Sequence, residues 1–142
     1  RMYFLGIDLG SSSVKLSIFD ADSQQSIAAV GEPKSEMAME ALQPGWAEQD
    51  PNQWWENVKI ALQRLQSEYQ IDLTQIKAIG IAYQMHGLVL TDSHLNPVRP
   101  SIIWCDSRAA AIGDKAFKEI GEEKCHDMIP SSRYNGSTIG LW

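Results

Sequence analysis

The chain has 142 residues, 44% of them apolar and 21% charged, the balance of an ordinary soluble globular domain. A net charge of −6 with no basic stripe excludes electrostatic capture of nucleic acid or an anionic membrane, but leaves open a phosphate site, which needs only local donors. No apolar run nears the ~18 residues of a membrane span, and Cys105 and Cys125 have neither metal-ligand spacing nor a disulfide framework, which fits a reducing cytoplasm.

The first element is the apolar run Tyr3-Phe4-Leu5-Gly6-Ile7, which reads as a buried strand and ends in Asp8-Leu9-Gly10. Three serines follow, and then Val14-Lys15-Leu16-Ser17-Ile18-Phe19 alternates as a half-buried strand does. Gly10 with Ser11, Ser12 and Ser13 forms a tight hairpin tip, and Asp8 stands just before it. Two readings fit these residues: a phosphate loop with an acidic metal ligand beside it, or a plain hairpin with a polar turn. Ser26-Ile27-Ala28-Ala29-Val30 predicts a third strand, completing an antiparallel meander. From Gly31 to Gln49, Pro33, Pro44 and Gly45 predict a long surface loop.

A helix is predicted next. Asp50 stands at N-cap, Pro51 at the first helical position and Gln53 where a capping box needs its return donor. Trp54, Val58, Ala61, Leu62, Leu65 and Tyr69 recur at helical spacing through Gln70 and predict one buried face. The stretch from Ile76 to Tyr83 is apolar on both faces, as a central strand covered by helices would be. Leu88-Val89-Leu90-Thr91 and Ser101-Ile102-Ile103-Trp104 predict two further strands around a turn holding Asn96-Pro97 and Arg99-Pro100. Asp106 can cap a second helix running to Ile120, and beyond Gly121 lie a charged stretch, Pro130 and a serine- and asparagine-rich loop. A meander followed by helix, strands and helix is a mixed α/β domain. The pattern stops abruptly at Ile139-Gly140-Leu141-Trp142, so the chain reads as a piece of a longer protein.

Three polar clusters stand at predicted strand ends, where ligands gather in α/β sheets: residues 8–13, Gln84-Met85-His86-Gly87, and Trp104-Cys105-Asp106-Ser107-Arg108. Singly, His86 is equally well a satisfied core histidine, and Asp106 a mere cap. Arg108 in a first helical turn opposes the helix dipole, which calls for an anionic partner, either Asp106 or a ligand. His94 and the Cys125-His126 pair have no companions at ligand spacing and read as structural or surface residues.

With these residues in view, the sequence resembles the N-terminal part of an FGGY-family carbohydrate kinase, most closely its xylulokinase branch. The segments that carry the likeness are Gly6-Ile7-Asp8-Leu9-Gly10-Ser11-Ser12-Ser13-Val14-Lys15, Pro44-Gly45-Trp46-Ala47-Glu48-Gln49-Asp50-Pro51 with Trp54-Trp55, Gln84-Met85-His86-Gly87, and Arg99-Pro100 through Arg108. They cover most of residues 3 to 108. The first segment is shared with actin-like ATPases generally; the tryptophan-rich segment and Gln-Met-His-Gly are far more specific.

The resemblance implies a ribonuclease H-like (actin-like ATPase) fold: a mixed sheet with an antiparallel N-terminal meander flanked by helices. Residues 1–142 would be the N-terminal part of the first, sugar-binding domain, with the second domain absent. It implies ATP and Mg²⁺ as cofactors and phosphorylation of a ketopentose, D-xylulose to D-xylulose 5-phosphate. Asp8 would lie beside the metal and phosphates and be critical for activity; Gly10, Ser11, Ser12, Ser13 and Lys15 would approach ATP. Gln84, Met85 and His86 would bind the sugar, and Asp106 would sit at the sugar pocket with Trp104 and Arg108. The catalytic base, an aspartate, and the adenosine site would lie beyond this chain, leaving the isolated chain inactive. The implied partners are a small sugar and ATP, neither nucleic acid nor a membrane, with a homodimer for the full-length enzyme and a cytoplasmic location. The rival readings are a kinase for ribulose, glycerol or gluconate, and a non-catalytic or nuclease-like module in which Asp8 joins a metal-binding carboxylate cluster.

Overall fold

The computed structural model describes residues 1–128. In chain order its elements are β1 (Tyr3–Leu9), β2 (Val14–Asp20), β3 (Gln25–Glu32), β4 (Glu48–Gln49), α1 (Pro51–Tyr69), a 3₁₀ turn (Leu73–Gln75), β5 (Ile76–Tyr83), β6 (Ser101–Ile102), α2 (Ala110–Ile120) and α3 (Glu122–Met128). The Pro130 stretch, the serine- and asparagine-rich loop and the Ile139 to Trp142 ending lie outside the described residues. Two compact units are built from the described residues: Arg1–Ala38 with Asn52–Gln84, and Met39–Pro51 with residues 85–128.

The first unit is a four-stranded mixed sheet in the order β3-β2-β1-β5. The expected meander is present: β1 pairs antiparallel with β2, and β2 with β3. On β2 the alternation buries Val14, Leu16 and Ile18 and leaves Lys15, Ser17 and Phe19 on the other face. Against the first face packs α1, whose Val58, Ala61 and Leu65 are buried among Tyr3, Leu5, Leu16, Ile18 and Val30. Each large apolar side chain so buried stabilises the unit by roughly 1.5–3 kcal/mol. α1 starts at Pro51 as expected, but Tyr69 at its end is exposed rather than part of the buried face. From α1, Arg64 donates to Gly31 O at 2.9 Å and to Glu32 Oε1 at 2.8 Å, tying the helix to the end of β3.

β5 returns parallel to β1, with α1 in the crossover, as a parallel pair requires. Among the described residues it ends the sheet, where the sequence predicts a covered central strand. Its register puts Ile79, Ile81 and Tyr83 beside Leu5, Ile7 and Leu9, yet the three are exposed. The cluster beneath α1 takes in Ile76 and none of the three.

In the second unit, β4 pairs antiparallel with β6, Glu48 opposite Ile102 and Gln49 opposite Ser101. Single bridges extend this row on both sides, from Glu48 to Glu40 and from Ile102 to Leu88. The predicted strand over residues 88–91 is reduced to bridges at Leu88 and Thr91, because the Asp92 turn follows at once and Pro97 has no N–H to give. The strand predicted from Ser101 to Trp104 shortens to two residues. α2 begins at Ala110, not at Asp106, and Ala109 at its N-cap position makes no side-chain capping bond.

Candidate active site

The candidate residues fall into two groups, one in each unit. In the first, β1 and β5 run parallel with Asp8 opposite Ala82 and Leu9 opposite Tyr83, so their carboxyl ends lie side by side. Gln84 extends this ladder by one residue, its N–H donating to Leu9 O at 2.9 Å. At such an end, loops rather than strands offer groups to a ligand.

Asp8 projects from the sheet face opposite α1, and its side chain is 53% exposed. Lys15, its cross-strand neighbour, holds an ammonium 4.0 Å away, also in solvent, so the pair contributes at most about 1 kcal/mol. The turn over residues 10–13 closes with Gly10 N–H donating to Ser13 O at 3.1 Å. A Cβ at position 10 would sit 2.9 Å from that same carbonyl oxygen, so the turn demands glycine. Because the Gly10 N–H is spent inside the turn, the glycine contributes space rather than a donor. Met37 N–H closes on Ser12 O at 2.7 Å and fixes the tip from the loop after β3. Over the face that carries Asp8 lies a concavity of about 840 Å³, floored by Gly6, Ala29, Gly31 and Gly80. The polar side chains of its lining are Asp8, Lys15 and Ser17, too few to satisfy a polyol. Among the described residues no three His, Cys, Asp or Glu side chains come together as a ready-made metal cage.

The second group starts at Met85, which is exposed, and His86, which is half-buried with φ +64°. The left-handed conformation turns the chain sharply at His86, at a conformational cost of order 1–3 kcal/mol. The next residues are pinned: Leu88 N–H donates to Ile102 O at 2.8 Å, and Ser101 Oγ donates to Leu88 O at 3.1 Å. Trp104 and Cys105 are exposed beyond β6, the Cys105 thiol lying 3.9 Å from Met39 Sδ.

Asp106 differs from these. Its side chain is 1% exposed, and its carboxylate accepts from Ala47 N–H (2.7 Å), Arg108 N–H (2.8 Å), Arg108 Nε (2.9 Å) and Arg108 Nη2 (2.7 Å). Burial pushes this carboxyl up, but the hydrogen bonds from Arg108 and Ala47 outweigh it and hold the acid below its ordinary value. A sugar hydroxyl reaching Asp106 would have to displace one of these donors. The cap expected for α2 is therefore replaced by an anchor: Asp106 folds back on Arg108 two residues on and reaches across to residue 47.

The anionic partner that the sequence demands for Arg108 is two carboxylates, Asp106 and Glu48. Arg108 Nη2 stands 2.7 Å from Glu48 Oε1, and the guanidinium stacks on Trp46, 3.8 Å from the ring centre. Burial lowers the pKa of Arg108, but the bonds to Asp106 and Glu48 outweigh it, for a net upward shift. Glu48, with a side chain 3% exposed, also accepts from Arg99. Sequence reasoning assigned no role to Glu48, Trp46 or Arg99. The signal was available in Arg108 itself, whose required anion need not be the nearest one in sequence.

The comparisons with known proteins agree with this architecture. Residues 3–138 match the model of the FGGY family of carbohydrate kinases, N-terminal domain. Xylulose kinase of Escherichia coli (strain K12) is 36% identical over 107 residues, 75% of this chain and 21% of that protein. Glycerol kinase of Mycoplasma pneumoniae is 31% identical over 151 residues, covering 100% of this chain and 28% of its own. The crystal structure of a xyloylose kinase from Brucella ovis superposes with a TM-score of 0.69 at 37% identity, over 84% of this chain and 25% of that one. The fold is thus the mixed α/β, actin-like ATPase fold of sugar kinases. The chain spans between a fifth and just over a quarter of the length of these relatives. It belongs to the FGGY family of carbohydrate kinases.

Proposed function

We propose that the full-length protein transfers the terminal phosphoryl group of ATP to a hydroxyl of a small ketose, D-xylulose first, giving D-xylulose 5-phosphate. The observation that carries this reading is Asp8: an open carboxylate at the carboxyl end of β1, directly before a glycine-dependent turn, in a chain of this family. Phosphoryl transfer needs positioning and charge neutralisation more than covalent chemistry. A single carboxylate suits Mg²⁺, which keeps its waters and takes its remaining ligands from phosphates. When bound, that ion would neutralise charge on the transferring group, with Asp8 as its protein ligand. Residues 10–13 and Lys15 would lie along the phosphates. Gln84, Met85, His86 and Trp104 would face the sugar, where every buried hydroxyl left unpaired costs roughly 1–3 kcal/mol. Asp106 and Arg108, saturated by one another and by Glu48, would hold that wall in place from behind. The catalytic base and the adenosine site would come from the rest of the polypeptide, and a cytoplasmic location goes with a supply of ATP.

Asp8→Ala in the full-length protein is expected to lower kcat by about 10²–10³-fold with little change in sugar KM. His86→Ala is expected to raise sugar KM by about 10–100-fold, the equivalent of one or two lost hydrogen bonds. Intact turnover in Asp8→Ala would overturn the assignment. The glycerol kinase relative favours a polyol as second reading, which a panel of D-xylulose, ribulose, glycerol and gluconate separates.

A further inference from the structure

Glu48 takes no part in the chemistry proposed above, yet within the second unit it is where separate segments meet. Its backbone sits in the middle of a row that runs from Glu40 through Glu48 and Ile102 to Leu88. Both hydrogen bonds of the Glu40 bridge, each at 2.8 Å, are made by Glu48 N–H and C=O. Its side chain, almost wholly buried, receives Arg99 and Arg108 on the same oxygen, Oε1. These two arginines are nine positions apart and bracket β6 and the segment carrying Trp104. One carboxylate therefore closes the loop of residues 99–108 at both ends, while β6 ties the start of that loop to the turn after His86. Trp46 caps the inner arginine, and Asp106 holds its other edge.

We propose that Glu48 is a positioning residue for the sugar wall: by clamping Arg99 and Arg108 together it sets where Trp104 and the His86 turn stand. This rests on the kinase reading for its substrate and on the second unit alone for its geometry. Removing the charge while keeping the shape loosens both arginines at once, and the loop between them gains freedom without loss of any group that touches the reaction.

The test uses the full-length protein with Glu48→Gln, and with Arg99→Ala, a partly exposed change that releases only the outer tether. Glu48→Gln is expected to raise sugar KM about tenfold, with kcat within about twofold and the KM for ATP unchanged. Arg99→Ala should move sugar KM the same way by about threefold. Amide hydrogen exchange should quicken over residues 86–88 and 99–108 and stay unaltered in the β1–β2 hairpin. An unchanged sugar KM in both variants refutes the clamp, as does a parallel fall of kcat and rise of both KM values, which would mark a merely structural residue. Should Glu48→Gln fail to fold, Arg99→Ala decides alone. If the unaltered protein phosphorylates none of the sugars, the kinase reading falls, and the exchange pattern alone decides for or against the clamp.

Discussion

Asp106→Asn tests the anchor of the second unit with an isosteric change. The carboxylate it replaces accepts from Ala47 N–H and from three nitrogens of Arg108. Asparagine with its oxygen in the place of Oδ2 keeps Ala47 N–H and Arg108 Nη2, but turns an NH₂ toward the Arg108 backbone N–H and Nε, so donors face donors. Removing one partner of a buried ion pair costs about 3–5 kcal/mol. Glu48 remains on Arg108 Nη2 at 2.7 Å, so the guanidinium is not orphaned, and the loss is expected at the low end, about 3 kcal/mol. For a chain of this length that amounts to a fall of about 10 °C in Tm. The pH dependence supplies the sharper check. The folded-state pKa of Asp106 lies below its unfolded value near 4, so its contribution is fully present above that value and fades as pH falls through the folded pKa. The gap between wild type and Asp106→Asn in urea unfolding should be widest at pH 7 and shrink steadily below about pH 4. Glu68, Asp72 and Asp92, also held low by hydrogen bonds, are common to both proteins and cancel in the difference. A wild-type midpoint at pH 7, or a gap that does not narrow in acid, would refute the reasoning.

Leu65→Ala removes a wholly buried side chain from the inner face of α1 and should cost about 2–5 kcal/mol, whereas Ile60→Ala, exposed on the same helix, should stay within about 1 kcal/mol. Equal shifts of the two urea midpoints would mean that α1 does not pack through the face described. Gly45 has φ +79° and its carbonyl takes both the N–H and the hydroxyl of Ser107, so Gly45→Ala should lose about 1–3 kcal/mol through backbone strain and collision with that hydroxyl. Gly80→Ala, with open space at the Cβ position, is the control and should leave the midpoint within about 0.5 kcal/mol.

Much of the first unit was legible because its information is local. Alternation in Val14-Lys15-Leu16-Ser17-Ile18 states both strand and face, Gly10 states the turn, and Pro51 with the spacing of Val58, Ala61 and Leu65 states the helix. The exposure of Ile79, Ile81 and Tyr83 was not legible, since an apolar run reports what a strand prefers rather than which neighbours the chain supplies. The second unit resisted for a related reason. Strands of two residues carry no period, and the helix start was assigned to Asp106 because a capping residue in sequence looks the same whether its oxygen meets its own helix or an N–H from position 47. The family segments quoted from the sequence nevertheless contain Trp46, Glu48, Arg99, Asp106 and Arg108, the residues that hold this unit together.

Three carboxylates in those segments show how environment divides one functional group into different tasks. Asp8 is half in water, with an ammonium at 4.0 Å as a loose companion, so a cation or a phosphate-bound ion can approach at little cost. Asp106 and Glu48 are out of water and saturated by guanidinium, and any ligand that sought either would first have to break a charged hydrogen bond in a buried setting. An incoming ligand could therefore reach Asp8 without breaking a buried bond, whereas the other two are committed to fixed geometry. The same argument explains why arginine rather than lysine stands at 108. One planar fork meets Asp106 and Glu48 and lies over the Trp46 ring, whereas an ammonium at that position could offer charge but neither the fork nor a planar face.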